Sequence, residues 1–167
     1  MTKSVGLAVA GLGWIGRKHA DLINANSACS LVGLCDSDAS HRTVAEEYNV
    51  PFYQDLTELL ARERPLGVII ATPTAEHSAM AEACAKHSAH VLVEKPIADT
   101  LDGANRIIRA ASEYGIHVLV GHHRRHSPFI QEARSIVKSG ALGKLVGVSM
   151  LWALMKPENY FEIDWRC

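Results

Sequence analysis

Short runs of apolar, largely β-branched residues alternate along this chain with stretches whose apolar positions recur every three to four residues. Val5–Ala10, Leu31–Cys35, Pro51–Tyr53, Gly67–Ala71, His90–Val93 and Ile116–Val120 read as six strands. Strands separated by helical periods are the mark of βαβ units and a parallel sheet. Ile15, Leu22 and Ile23 place a helix after the first strand, and Ala39, Val44, Ala45 and Tyr48 place another, opened by Asp38 and ended by Asn49. Asp55 opens a short helix with Leu56, Leu59 and Leu60 inward. Thr74 is expected to cap a helix burying Ala75, Ala79, Met80, Ala83 and Cys84. A longer helix over Asp99–Glu113 is expected to bury Leu101, Ala104, Ile107, Ile108 and Ala111 and to end on Gly115. The expectation is an α/β fold: a complete doubly wound parallel sheet over residues 1–122.

Residues 123–167 continue differently. Ser127 as cap, Pro128 at the first helical position and Phe129, Ile130, Ala133, Ile136 and Val137 as an inner face predict a helix before Gly140. Lys144–Leu154 is apolar on much of both faces and predicts a strand of a larger sheet. About 45 residues are too few for a core of their own. They are expected to be the first helix and strand of a second, α+β domain that the sequence breaks off inside.

Composition narrows the partners. The chain has 167 residues, 48% of them hydrophobic, with 17 Lys plus Arg against 18 Asp plus Glu. A net charge of −1 supplies no basic footprint for nucleic acid or an anionic membrane. The apolar runs are strand-length, far below the roughly 20 residues of a membrane helix. Met1–Ala10 runs straight into the first strand with no separate hydrophobic segment and cleavage site, so a cytoplasmic location is expected. Cys29, Cys35, Cys84 and Cys167 are scattered, without zinc or dithiol spacing, and the first three read as small buried hydrophobes. His117, His122, His123 and His126 are close in sequence, but Arg124 and Arg125 among them and the absence of a carboxylate argue against a metal.

Gly11, Gly13 and Gly16 form G-x-G-x-x-G between the first strand and its helix, with Trp14 and Ile15 opening that helix. In this context the first glycine permits the tight turn, the second lets a pyrophosphate approach the backbone, and the third lets helix and strand pack closely. Asp36 closes the second strand, where a carboxylate hydrogen-bonds ribose hydroxyls and repels a 2′-phosphate, so NAD is expected over NADP. Thr72 and Pro73 end the fourth strand beside the crevice of an open α/β sheet, and His77 either points into that crevice or is an ordinary solvated or packed histidine. Glu94, Lys95 and Pro96 end the fifth strand. A partly desolvated ammonium near a cationic nicotinamide gives up its proton more easily and can serve a substrate hydroxyl as base. Glu94 would oppose this if it paired with Lys95, and standing alone the tripeptide would read as a solvated turn.

It does not stand alone. A-G-L-G-W-I-G-R-K-H-A, Asp36, A-T-P-T-A-E-H at 71–77, V-E-K-P-I-A at 93–98 and V-G-H-H-R-R-H-S-P at 120–128 occur in one order and spacing. Together they resemble the glucose-fructose oxidoreductase, inositol dehydrogenase and rhizopine-catabolism (Gfo/Idh/MocA) family. The resemblance implies a pyridine-nucleotide dehydrogenase moving a hydride between nicotinamide and a secondary carbinol of a sugar, cyclitol or related polyol. It implies Lys95 as the catalytic residue at the reacting hydroxyl, and His77 and Arg124 on the nicotinamide and substrate side. It also implies a homo-oligomer formed through a complete second domain, whose later glycine-rich segment, Asp and His finish the site. Tyr160–Arg166 reads as the approach to that segment, and Asp164 precedes it. The competing reading is a stand-alone NAD-binding module or partner subunit without turnover. A short-chain dehydrogenase is discarded, because no tyrosine has a lysine four residues later.

Overall fold

The computed structural model describes residues 4–151 and 153–155. The chain divides into two compact units, Met1–His123 and Arg124–Cys167. In the first, β1 (Val5–Ala10), β2 (Cys29–Cys35), β3 (Phe52–Tyr53), β4 (Gly67–Ile70), β5 (His90–Val93) and β6 (Val118–Val120) form one sheet in the order β3-β2-β1-β4-β5-β6. Every pairing is parallel. The helices that connect them are α1 (Trp14–Asn24), α2 (Arg42–Tyr48), α3 (Leu56–Glu63), α4 (His77–Lys86) and α5 (Leu101–Tyr114).

The sheet is buried on both faces at its centre, which is why its strands read as apolar runs. Ala8, Ala10, Val68, Ile70, Val91 and Val93 pack with residues of α3, α4 and α5. Their alternates Val9 and Ile69, with Leu34, pack with Ala20 and Ile23 of α1 and Val44 and Ala45 of α2. The chain runs outward from β1 in one direction and outward from β4 in the other, creating a switch point between them. The register sets Ala10 beside both Cys35 and Ile70, Ile70 beside Val93, and Val93 beside Val120. Five strands therefore end level, and the residue after each end emerges on one carboxyl edge.

Local chemistry sets the helix ends. The Asp55 carboxylate accepts the Glu58 N–H at 2.8 Å and the Thr100 hydroxyl accepts the Gly103 N–H at 3.0 Å. Asn49 and Gly115 close α2 and α5 in the left-handed region, at φ 54° and 67°.

Some expectations shift. Thr74 caps nothing; Pro73 leads instead into a 3-10 turn over Thr74–Glu76, and α4 starts at His77. The tighter turn changes the helical phase, so Ala81, Cys84 and Ala85 are buried and Ala75 and Ala79 are exposed. On α5 the inner face is Gly103, Ile107 and Ala110, a set spaced by four and three residues, and this leaves Leu101 and Ile108 outside. Leu22 of α1 is likewise exposed, and Cys29 is only half-buried.

The second unit contains α6 (Pro128–Lys138), which buries none of its residues; Phe129, Ile130, Ile136 and Val137 are exposed. Of the strand expected over Lys144–Leu154, the described positions form none. A strand exists only as a rung of a ladder, and no described residue pairs with this segment. Trp152, Tyr160–Arg166 and Cys167 lie outside the described residues.

Candidate dinucleotide site

The glycine turn follows β1 and is closed by backbone contacts that leave no room for a side chain at Gly11 or Gly16. Gly11 sits at φ 88°, and a Cβ there would lie 2.6 Å from the Ala71 carbonyl carbon and the Thr72 nitrogen. A Cβ on Gly16 would lie 1.7 Å from the Gly11 carbonyl oxygen. Gly13 is the opposite case, with nothing within 4 Å of the position a Cβ would take. It is the extended N-cap of α1, and no side chain caps that helix. The first N–H groups of α1 and the positive end of its dipole are thereby presented beside open space. Trp14 is 81% exposed and Ile15 half-buried at this helix start. Arg17, which the sequence reading passed over, donates its Nε–H to the Leu12 carbonyl at 3.1 Å and braces the turn.

Asp36 lies beside this turn. Its Oδ2 accepts the Leu12 N–H at 2.6 Å and its Oδ1 the Asp38 N–H at 2.9 Å. His41 Nδ1 lies 3.0 Å from Oδ2, at ion-pair distance but outside hydrogen-bond geometry, and is buried without another partner. The Asp38 carboxyl is held below the usual carboxylate range by the Ser40 N–H. The Arg42 guanidinium lies over the Phe52 ring, 5.0 Å from its centroid.

Glu94, Lys95 and Pro96 leave the end of β5 on the same edge. The Glu94 Oε1 is 2.9 Å from His19 Nε2, and its Oε2 accepts the Lys95 N–H at 3.2 Å. Lys95 is exposed, and the Lys95–Pro96 peptide is cis. Thr72 is half-buried and Pro73 exposed at the end of β4. His77 is 1% exposed, with Nδ1 3.0 Å from the Pro96 carbonyl and Nε2 3.0 Å from the Thr72 carbonyl. A neutral imidazole has one N–H and serves one of these acceptors at a time. It ties the Lys95–Pro96 turn to the end of β4.

The three constellations thus share one edge, with the helix N-terminus and open glycine of a pyrophosphate cradle at its centre. A family model described as "Oxidoreductase family, NAD-binding Rossmann fold", that of the Gfo/Idh/MocA proteins, matches residues 5–122. The chain belongs to this family.

The chain is 34% identical over 138 residues to 4-carboxy-2-hydroxymuconate-6-semialdehyde dehydrogenase of Sphingobium sp., covering 81% of this chain and 44% of that protein. It is 31% identical over 145 residues to inositol 2-dehydrogenase of Rubrobacter xylanophilus, covering 85% and 42%. The crystal structure of myo-inositol 2-dehydrogenase from Lactobacillus plantarum superposes with a TM-score of 0.81 at 25% identity, covering 86% of this chain and 44% of that one. The chain therefore spans less than half the length of each of these three proteins.

Arg124 opens the second unit, in a 3-10 turn over His123–His126, and its carbonyl accepts the Ser127 N–H at 3.1 Å. Among the described residues no group of three or more His, Cys, Asp or Glu is arranged to hold a metal ion, and no helix is long and apolar enough to cross a membrane. Arg17, His19 and His41 are the site neighbours that sequence reading did not single out. For the first two the only signal was their place in the glycine-turn string; His41 gave none.

Proposed function

We propose that this chain carries the cofactor half of an NAD-dependent oxidoreductase that moves a hydride between nicotinamide and a secondary alcohol of a sugar, cyclitol or related polyol. The observation that supports it is the level ending of β1, β2, β4 and β5, which sets Gly11, Asp36, Thr72 and Lys95 on one edge. Gly13 and the uncapped start of α1, with Trp14 and Ile15, receive the pyrophosphate, while Gly11 and Gly16 fix the turn. Asp36 accepts the adenosine ribose hydroxyls, and its charge disfavours a 2′-phosphate, so NAD is preferred over NADP. The bound nicotinamide supplies or takes the hydride. Lys95, exposed at the edge, takes the hydroxyl proton as the alcohol is oxidised and returns it on reduction. Glu94, Thr72, Pro73 and His77 shape the wall around it, His77 by tying rather than by touching the ligand. Residues 1–122 are the nucleotide-binding domain, and 123–167, with Arg124, begin the domain that binds the polyol and joins subunits. The inositol dehydrogenases among the relatives favour a cyclitol or sugar as the substrate.

The deciding experiment is a fluorescence titration of the chain with NADH, matched by NADPH. Saturable binding that favours NADH is expected. A folded sample that binds neither nucleotide would overturn the reading.

A further inference from the structure

The Glu94 carboxylate is one residue from Lys95, and a carboxylate that comes close to an ammonium keeps the proton on it. Here it is engaged elsewhere. Its Oε1 is 2.9 Å from His19 Nε2 on α1, with side-chain exposures of only 18% for His19 and 13% for Glu94. Its Oε2 is turned back onto the Lys95 backbone N–H. Gly121, the residue after β6, closes the other side: a Cβ there would lie 2.9 Å from Oε1, so a side chain at 121 would displace the carboxylate. Among the described residues the Lys95 ammonium has no ion-pair partner.

We propose that His19 is a positioning residue for Lys95: by holding the Glu94 carboxylate against α1, it withholds that charge from the neighbouring ammonium. The inference rests on the reading of Lys95 as the proton-accepting group. A free amine accepts a proton from a substrate hydroxyl, and an amine tied to a carboxylate stays protonated and unavailable. His19 thus acts through Glu94.

Competitive labelling of amines by trace acetic anhydride, read by mass spectrometry of peptides, tests this in the chain without cofactor or substrate. Lys86 and Lys138 serve as internal standards. In His19→Ala the freed Glu94 pairs with Lys95, and Lys95 labelling falls roughly fivefold, the effect of an exposed carboxylate about 4 Å away in water. His19→Gln keeps an N–H donor for Glu94 and retains wild-type labelling. His19→Ala/Glu94→Gln restores it, which mere loosening of the turn would not do. Unchanged labelling in His19→Ala, or a fall that Glu94→Gln does not reverse, overturns the proposal. Should His19→Ala not fold, Glu94→Gln alone decides: no change is expected, and a several-fold rise would show that Glu94 already acts on Lys95. Because no nucleotide is present, failure here is separate from failure to bind NADH.

Discussion

The Asp36 carboxylate accepts the Leu12 N–H at 2.6 Å, so the acid that ends β2 is part of the scaffold of the glycine turn that follows β1. The two features that identify a dinucleotide site in sequence are mechanically one. Asp36→Asn keeps an oxygen for Leu12 and removes the charge. NADH affinity is expected to fall about tenfold, as for loss of a charge-assisted hydrogen bond, and the preference over NADPH to relax. Asp36→Ala also frees the Leu12 N–H and lowers Tm. An unchanged NADH to NADPH ratio in either variant would remove Asp36 from the site.

Gly13 and Gly16 separate open space from packing space. A methyl on Gly16 meets a backbone oxygen at 1.7 Å, which nothing nearby can move to relieve, while one on Gly13 meets nothing within 4 Å. Gly16→Ala is expected to destabilise the fold by about 3 kcal/mol, the upper range for overpacking. Gly13→Ala is expected to keep the wild-type Tm and lose NADH affinity, because its methyl occupies the space left for the pyrophosphate. Thermal melts and NADH titrations of the pair check this; a Gly13→Ala chain that binds normally would place the pyrophosphate elsewhere.

The sheet was legible because its central strands are buried on both faces, and Gly67–Ile70, wholly buried, is an unbroken apolar run. Glycine turn and Asp36 were legible because each immediately follows a strand end, and Lys95 because it stands two residues beyond one. Contacts between distant segments left no such trace. His19 meets Glu94 across 75 positions, and no local pattern encodes that distance. For His77 the sequence left the crevice and an ordinary histidine both open, and it was the 3-10 turn before it that set it between two carbonyls. At Lys144–Leu154 the apolar pattern was plain, but pattern alone does not make a strand where no ladder partner is described.

Arg106 of α5 grips Glu82 of α4, with Nε on Oε1 at 2.9 Å and Nη2 on Oε2 at 2.5 Å. These hydrogen bonds hold the Glu82 carboxyl below its ordinary range. A depressed carboxyl stabilises the fold above its unfolded value, and that contribution disappears as pH falls through its folded value. Arg106→Met should therefore lower Tm slightly at neutral pH, since both side chains are partly solvated. The gap between variant and wild type should close below the carboxylate range. A gap that persists undiminished in acid would assign the loss to packing of the arginine stem instead.

Burial pushes the Cys35 thiol up to about 12, with the charges of Asp36, Asp55 and Glu76 adding to it, and burial likewise pushes Cys84 up to about 12. Only the thiolate reacts readily, so both cysteines should resist a disulfide reagent at mildly alkaline pH while the chain is folded. Half-buried Cys29 should be modified before either. Cys35 precedes Asp36 and pairs with Ala10 in the sheet, so it reports opening of the strands that carry the proposed nucleotide site. Saturating NADH stabilises the closed state by mass action, and Cys35 modification should slow with it while Cys29 changes little. Peptide mapping over a time course reads all three thiols at once. Prompt modification of Cys35 in the folded chain, or a Cys35 rate indifferent to bound NADH, would show that this edge opens independently of the nucleotide.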